Sequence, residues 1–261
     1  MAQLEFNEEL AAQMEVVYSR RDILRRRALV HEALGVEPGE RVLDAGCGPG
    51  FYIAEILERI GPAGSVVGVD TSRPMLAVAA KRCEGHDNAE FHEGDVTAIP
   101  VTDADFDRVL SVQVLEYVAD VPAALEELFR VLRPGGRVII WDVDWSTVSW
   151  HSENPARMER VLRAWDDHLS DPLLPRTLSA QLRAAAFENV EMRGHTFATN
   201  DVTEESYAGG MLTLMTDYVA TRPEIGPEVA AEWAAEQRDL QARGESYFAC
   251  VQFCFTATRP S

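Results

Sequence analysis

A glycine-rich turn near position 46 constrains the fold more than any other stretch of the sequence. Residues 41–44 are typical of a buried parallel strand that ends in the acidic side chain of Asp44. Glycines then follow at every second position, Gly46, Gly48 and Gly50. Glycine lets the backbone turn with positive φ and lets a ligand approach the main chain. The apolar segment after the turn predicts a helix, and a strand, a glycine turn and a helix N-terminus together form a cradle for a ligand.

The spacing of these glycines distinguishes three kinds of nucleotide-binding turn. The dinucleotide-binding pattern G-x-G-x-x-G would need a glycine at Phe51, and a Walker A loop would need a Lys and a Ser or Thr after Gly50. The chain has neither. Its Asp-x-Gly-x-Gly-x-Gly pattern resembles motif I of the class I S-adenosylmethionine-dependent methyltransferases. The resemblance covers about residues 15–258 and is strongest to the group that includes ubiquinone and menaquinone biosynthesis enzymes.

The predicted strands and helices alternate, which indicates an α/β fold with a doubly wound parallel sheet. Five strands are predicted first, the fifth at 137–142, and two more follow at 187–197 and 245–257. The family resemblance implies a mostly parallel, seven-stranded Rossmann-like sheet whose last strand is antiparallel. We expect an N-terminal helical cap, a methyltransferase core, a helical insertion and a final core strand, at 1–35, 36–200, 201–244 and 245–261.

An acidic residue ends the second predicted strand. Asp70 lies 20 residues after Gly50, and a carboxylate in this place can accept hydrogen bonds from both hydroxyls of a ribose. The alternative is that Asp70 caps the next helix, a role that Thr71 or Ser72 can fill instead. We therefore expect Asp70 to bind the ribose of the cofactor, with Thr71 beside it.

The family resemblance implies further contacts with S-adenosylmethionine. Residues 111–113 would line the sulfonium and its methyl group, Met75 would touch the adenine, and Tyr18 would cover the ligand. Asp95 would accept from the adenine amine, while the N–H of Val96 can donate to a ring nitrogen. The complete expected set is Tyr18, Asp44, Gly46, Cys47, Gly48, Asp70, Thr71, Met75, Gly94, Asp95, Val96, Ser111, Val112 and Gln113.

The methyl acceptor is expected beyond the fifth strand, where aromatic, acidic and imidazole side chains are concentrated. Trp145 would line its pocket, and His151 and Asp144 are the first candidates for a catalytic base if the acceptor needs one. The alternative is that the tryptophans of this stretch only pack and that His151 caps the next helix. The family often has Leu-Glu-His where this chain has Leu-Glu-Tyr, and the resemblance places Tyr117 near the substrate. Because tyrosine replaces the ionisable imidazole ring, a catalytic base at position 117 is in doubt.

An insertion separates the last two predicted strands, which a short hairpin could have joined. It contains helical stretches at 203–220 and 227–243. Tyr207 and Met211 lie on its apolar, adaptable face, and we expect them to contact the methyl acceptor beneath a lid. A dimer contact or packing support is the alternative for this insertion, so a homodimer is left open.

Composition excludes several partners. The formal net charge of -19 argues against a nucleic acid, because phosphate binding relies on Lys and Arg. No apolar run approaches the ~20 residues of a membrane span, and the N-terminal residues lack an apolar signal core, so a cytoplasmic location is expected. The four cysteines match no common zinc pattern, and no metal is expected. Cys250 and Cys254 are expected in the core, although some relatives methylate arsenite through thiolates.

Five arginines cluster between positions 20 and 27. They form either a solvated helix face or a group in which one arginine faces a carboxylate of the substrate or cofactor.

For the chain as a whole, the resemblance implies transfer of a methyl group from S-adenosylmethionine to O, N, C or S of a small organic molecule. A non-catalytic or repurposed S-adenosylmethionine-binding protein is the alternative, and a nicotinamide-dependent dehydrogenase is a third hypothesis.

Overall fold

The computed structural model describes residues 20–261, which form an α/β fold around one sheet. The strands are β1 (Arg41–Ala45), β2 (Ser65–Asp70), β3 (Ala89–Glu93), β4 (Phe106–Val112), β5 (Leu132–Trp150), β6 (Glu188–Thr199) and β7 (Phe248–Thr258). The helices are α1 (Arg21–Leu34), α2 (Phe51–Ile60), α3 (Arg73–Arg82), α4 (Val121–Val131), α5 (Pro155–Asp166), α6 (Pro175–Ala184), α7 (Tyr207–Ala220) and α8 (Gly226–Arg243), with a 3-10 turn at Leu115–Tyr117. Among residues 20–261, no helix combines the length and the apolar content that crossing a bilayer would need.

The sheet has the strand order β3-β2-β1-β4-β5-β7-β6. The neighbours from β3 to β5 pair in parallel, whereas β7 runs antiparallel to both β5 and β6. This order confirms the predicted doubly wound, seven-stranded sheet with an antiparallel last strand. Because crossover connections bring each parallel strand back in the same direction, the carboxyl ends of β1 to β5 lie along one edge of the sheet.

Successive residues of the central strands pack against helices on opposite faces of the sheet. On one face, Val42 belongs to a buried cluster with Leu34 of α1 and Ile53 of α2. On the other face, Leu43 belongs to a cluster with Leu125 of α4 and Leu182 of α6. Helices therefore cover both faces, which explains why these strands are continuous apolar runs in the sequence.

The helices of the insertion pack beyond the end of β5 in a third buried cluster. Trp145 of β5, Trp165 of α5, Met215 of α7 and Trp233 of α8 all belong to it. The two helices begin and end within four residues of the predicted stretches. The cluster anchors the insertion to the core, and the role of a lid over the acceptor stays a prediction.

The fifth strand is much longer than the predicted segment at 137–142 and spans Leu132–Trp150. At its start Leu132 pairs with Phe106, and a register shift separates this pair from the rest of the ladder with β4. At its end Ser149 pairs with Ala249 after a second shift in the ladder with β7. The irregular ladder lets β5 continue past the edge of its parallel neighbour and carry the stretch expected to contact the acceptor.

Candidate functional site

Backbone hydrogen bonds draw the ends of the first three strands together. The N–H of Gly46 donates to the carbonyl of Val69 at 2.8 Å, which ties the glycine turn to the end of β2. The N–H of Gly94 donates to the carbonyl of Asp70 at 3.1 Å, which ties the exit of β3 to the same place. The turns after β1, β2 and β3 therefore form one continuous polar rim at the carboxyl edge of the sheet.

Two glycines of the turn serve different purposes. Gly46 has a φ of +85°, and a Cβ added there would lie 2.2 Å from Cγ2 of Val114. A side chain at Gly46 is therefore excluded by both conformation and crowding. Gly48 has a φ of +50°, but a Cβ added there would meet no heavy atom within 4 Å. The backbone at Gly48 thus faces open space beside the polar rim, as a main-chain cradle for a ligand requires.

Asp70 faces the same cradle. Its Oδ2 accepts a hydrogen bond from the N–H of Gly48 at 2.8 Å, and its Oδ1 accepts one from the N–H of Ser72 at 2.8 Å. The cap of α3 is Ser72, whose Oγ accepts from the N–H of Met75 at 3.3 Å. Burial raises the pKa of Asp70, and the backbone N–H groups around it partly oppose that shift. Each carboxylate oxygen retains acceptor capacity for a ligand hydroxyl.

Asp44 is buried at the end of β1. Its Oδ2 has no hydrogen-bond partner among the residues that the structure describes. Burial, followed by the negative charge of Asp70, raises the pKa of Asp44 to about 8. The carboxyl group is therefore largely protonated at neutral pH and can donate a hydrogen bond.

The end of β4 contributes a hydroxyl and an amide. Ser111 is buried, and its Oγ has no hydrogen-bond partner within residues 20–261. Gln113 has a φ of +55°, and its backbone N–H donates to the carbonyl of Trp141 on β5 at 2.7 Å. Its side-chain oxygen accepts a hydrogen bond from Arg26 of α1. Val112 between them is half-buried.

The expected adenine contacts lie after β2 and β3. Met75 and Val96 are buried, and Thr71 and Asp95 are exposed. Oδ1 of Asp95 accepts hydrogen bonds from the backbone N–H of Thr97 at 2.8 Å and from its hydroxyl at 2.7 Å. These contacts fix the carboxylate at the exit of β3, and its role toward adenine stays a prediction.

Two other members of the expected cofactor set differ from the rest. The Cys47 side chain is buried against the sheet, and its Sγ would lie 2.9 Å from a Cβ added at Gly68. Burial raises the pKa of this thiol well above its ordinary value, so Cys47 offers the cradle only its backbone. Tyr18 lies outside the residues that the structure describes.

Buried ionisable residues beside the cradle were missing from the set expected from the sequence. Glu116 is fully buried, and its Oε2 accepts from Nε1 of Trp145 at 2.8 Å. Burial raises the pKa of Glu116 to about 7. Burial, followed by the negative charge of Glu116, raises the pKa of Asp142. The positive charge of Arg26 acts in the opposite direction on the pKa of Glu116 and lowers it. The Leu-Glu-Tyr stretch led us to expect Tyr117 near the substrate, whereas the residue of this stretch with the raised pKa is the neighbouring Glu116.

The arginine cluster of α1 is only partly solvated. Arg26 is 4% exposed and Arg27 is 6% exposed. Arg26 donates to Gln113, and Nε of Arg27 forms an ion pair with Glu55 at 2.8 Å. The interpretation of the whole cluster as a solvated helix face is therefore wrong for these two arginines.

The two candidates for a catalytic base have different surroundings. Asp144 is buried and its carboxylate pairs with Nε of Arg176 at 2.8 Å. His151 is exposed, and its backbone N–H donates to the carbonyl of Tyr247 at 3.1 Å. Both assignments stay predictions.

The aromatic residues expected at the acceptor are mostly packed. Trp145 is buried, with its ring 5.7 Å from that of His168. Tyr117 is half-buried with its ring also 5.7 Å from His168, and Met211 is buried in the same cluster. Tyr207 differs, because it lines a cavity of about 240 Å³ between α1, α7 and strands β5 to β7.

The buried thiols give no support to thiolate chemistry. Cys250 and Cys254 are buried, and burial raises their pKa values to about 12 and about 11. Among residues 20–261, no group of three or more His, Cys, Asp or Glu side chains is arranged to hold a metal ion. The two cysteines are core residues, as expected.

Comparisons with known proteins extend these observations. A family model described as "Methyltransferase domain" matches residues 36–204. A 2-phytyl-1,4-naphtoquinone methyltransferase from Thermosynechococcus vestitus is 32% identical over 172 residues, which cover 60% of this chain and 76% of that protein. The chain spans about half the length of other curated relatives that it matches, among them demethylmenaquinone methyltransferases, with 42–54% of their length covered.

Solved structures share the fold at lower identity. Phosphoethanolamine N-methyltransferase 2 from Haemonchus contortus, solved with S-adenosyl-L-methionine, has a TM-score of 0.65 and 17% identity and covers 99% of this chain and 58% of that one. The cyclase SpnF has a TM-score of 0.57 and 24% identity and covers 90% of this chain and 80% of that one. The sheet order, the glycine cradle and the matched family model agree. The chain belongs to the methyltransferase-domain family.

Proposed function

We propose that the chain binds S-adenosylmethionine at the carboxyl edge of its sheet and transfers the methyl group to a small organic molecule. The observation that supports this most directly is the contact between the N–H of Gly48 and the carboxylate of Asp70, beside open space at Gly48. A bidentate carboxylate beside a side-chain-free turn is suited to a ribose diol.

The buried polar atoms near this cradle fit such a ligand. Oδ2 of Asp44 and Oγ of Ser111 have no partner among the described residues. Leaving buried polar groups unsatisfied is costly, so a ligand with polar groups would recover that cost. Gly48, Asp70, Asp44, Ser111 and Gln113 are the residues that would hold the cofactor, which supplies a methyl group on a positively charged sulfur as the electrophile.

The protein's own contribution would be alignment of the acceptor with this methyl group. Holding two reactants in line supplies much of the rate enhancement without any base. A base would be needed only for an acceptor atom that is protonated at the working pH. Our candidates for that role remain Asp144, which is paired with an arginine, and His151, which is exposed. The residues that we expect to contact the acceptor are Trp145, Tyr117, Tyr207 and Met211.

A small molecule is the acceptor class that the charge of the chain favours. The net charge of -19 disfavours polyanionic partners. A homodimer and a cytoplasmic location remain proposals from the sequence. The alternative, a repurposed S-adenosylmethionine-binding protein, deserves a direct test, because a fold shared with the cyclase SpnF does not by itself specify methyl transfer.

The test combines a binding measurement with a transfer measurement. Isothermal titration calorimetry with S-adenosylhomocysteine should give saturable binding to the wild-type chain. Asp70→Asn should weaken it by roughly 10- to 100-fold, since a hydrogen bond to a charged group contributes about 1.5–3 kcal/mol. Gly48→Ala should abolish binding, because its methyl group would enter the cradle.

A matched control separates ligand blocking from backbone strain. Gly244 has a φ of +73° and, like Gly48, no heavy atom within 4 Å of an added Cβ. Gly244→Ala should therefore destabilise the protein by about 1 kcal/mol and leave binding intact. Equal binding by the Gly48 and Gly244 variants would refute the cradle. Binding without label transfer from methyl-labelled donor to any compound of a small-molecule acceptor panel would favour the repurposed binder.

A further inference from the structure

A second recess lies beside the proposed cofactor cradle. The cavity of about 240 Å³ is walled by α1, by the start of α7 and by the facing parts of β5, β6 and β7. Its volume is slightly below the ~300–1,000 Å³ of most small-molecule sites, so its occupant is small. Its charged and aromatic lining residues include Asp22, Arg25, Arg26, Trp141, His195, Phe197 and Tyr207.

The cavity adjoins the residue that we expect next to the sulfonium. Gln113 donates its backbone N–H to the carbonyl of Trp141 at 2.7 Å, and its side-chain oxygen accepts from Arg26. Trp141 and Arg26 both line the cavity. Gln113 therefore contacts two residues of the cavity wall, which connects the cavity to the expected position of the methyl donor.

The charges of the cavity are mainly positive, although the chain is strongly acidic. Arg25 is exposed at the cavity and forms no ion pair with any residue in the described part of the chain. Arg26 is buried and hydrogen-bonded to Gln113. The acidic lining residue, Asp22, already accepts from the N–H of Tyr207 at 3.2 Å. The cationic Arg25 therefore remains available for an anionic group on an occupant.

One wall of the cavity is flat and aromatic. His195 stacks on Trp141 with the ring centroids 4.8 Å apart and the planes 19° apart. Burial, followed by the charges of Arg193 and Arg25, lowers the pKa of His195, so its ring is neutral at neutral pH. Tyr207 and Phe197 border the same space, with their rings 5.1 Å apart. These surfaces favour a planar ligand.

From these observations we infer that the cavity binds the methyl acceptor and that the acceptor is a small planar molecule carrying a carboxylate, which Arg25 recognises. This inference rests on the proposed function, because it identifies the acceptor class for the same reaction. A guanidinium binds a carboxylate through two parallel hydrogen bonds, and the aromatic wall accommodates the plane of the molecule.

The inference is tested with aromatic acids and their neutral amides. The probes are benzoate and 1-naphthoate, each paired with its carboxamide, titrated by NMR into the full chain saturated with S-adenosylhomocysteine. At least one acid should bind about tenfold more tightly than its amide, the lower end expected for a charged hydrogen bond at an exposed arginine. Arg25→Gln should remove this preference.

Two further variants give the result a structural control. Arg238 is exposed on α8 and does not line the cavity, so Arg238→Gln should keep the preference for acids. His195→Ala removes the flat wall without removing charge and should weaken acid and amide alike. Acids that bind no better than amides, or a preference that survives Arg25→Gln, would overturn the inference.

The order of measurements separates this inference from the proposed function. Binding of S-adenosylhomocysteine is measured first, without any acid. If the cofactor product fails to bind, the proposed function is refuted and the inference with it. If it binds but the acids show no preference over amides, only the inference fails. If the product binds and the Arg25-dependent preference is present, both are supported.

Discussion

Asp44 and Asp70 end neighbouring strands, yet their surroundings give them different chemistry. Asp70 accepts two backbone hydrogen bonds, which favour its ionised form against the effect of burial. Asp44 has an unpartnered oxygen within the described residues and lies close enough to Asp70 to be disfavoured as an anion. One carboxyl group is therefore an acceptor for a ligand diol, and the other is a neutral group that can donate.

The raised pKa of Asp44 predicts how stability depends on pH. Its folded value is about 8 against an ordinary 3.8, so the folded state keeps a proton that the unfolded chain loses. Its stabilising contribution is complete below the unfolded pKa and is lost as pH rises toward the folded pKa. The free energy of unfolding should therefore fall by up to about 1.4 kcal/mol for each pH unit in this window, which is about 2 kcal/mol between pH ~5.5 and pH ~7. Asp44→Asn should remove that part of the slope in urea unfolding.

A surface acid provides the control for this slope. Asp87 is exposed, and Asp87→Asn should leave the pH dependence parallel to that of the wild-type chain. Glu116 and Asp142 remain in every variant and contribute the same slope to each. If the Asp44 and Asp87 variants lose stability equally between these pH values, the proton at Asp44 is absent.

Residues whose positions depend on the local sequence were predictable, and residues whose surroundings depend on packing were not. Gly48 and Asp70 stand at fixed distances from a strand end, and the structure places them in contact. Arg26 and Glu116 acquire their surroundings only when α1 and β5 fold onto the same edge of the sheet. No periodicity or motif in one segment reports such a contact between distant segments.

At the scale of elements, two hydrogen bonds join the N-terminal ends of α1 and α7 near the proposed acceptor cavity. Nη1 of Arg20 donates to the carbonyl of Ser206 at 2.6 Å, and Asp22 accepts from the N–H of Tyr207. Ser206 also caps α7 through its own side chain, which accepts from the N–H of Gly209 at 2.9 Å. The start of the insertion is thereby fixed to the helix that carries the arginine cluster.

Loss of the hydrogen bond between Asp22 and the N–H of Tyr207 should make local opening of the first turn of α7 more frequent. In Asp22→Ala the N–H of Tyr207 loses its partner, so hydrogen exchange in the segment 206–210 should accelerate. Global stability should fall by about 1 kcal/mol, as for the loss of a helix cap. Glu32→Ala, an exposed acid on the same helix, is the control. Unchanged exchange in the Asp22 variant would show that the cap from Ser206 alone orders α7.

Element boundaries show where sequence patterns stop being informative. The positions of α7 and α8 were predicted, and each helix has a start signal in the sequence, since Ser206 caps α7 and a proline lies in the first turn of α8. The length of β5 was underestimated, because the Pro-Gly-Gly stretch at 134–136 resembles a plain turn. Pairing of Leu132 with Phe106 and of Ser149 with Ala249 extends the strand at both ends, and only the neighbouring strands reveal that.

At the scale of the whole molecule, the candidate site exists only when the sheet is assembled. The cradle takes residues from the ends of β1, β2 and β4, and β4 is joined to β5 through the contact between Gln113 and Trp141. The three buried clusters meet at these strands, two on the faces of the sheet and one beyond the end of β5. Separation of any central strand would therefore destroy the ligand site together with the core.

This dependence predicts that a cofactor ligand stabilises the fold as one unit. S-adenosylhomocysteine at 100 times its Kd should add about 2.7 kcal/mol to the free energy of unfolding. For a chain of this size the melting temperature should then rise by roughly 5–11 °C in a single transition. L-Methionine, which lacks the ribose for Asp70, should give no comparable shift, and Gly48→Ala should lose the shift seen with the wild-type chain. A melting temperature that stays constant up to millimolar ligand would contradict the site, because no ligand can bind the assembled strand ends without stabilising them.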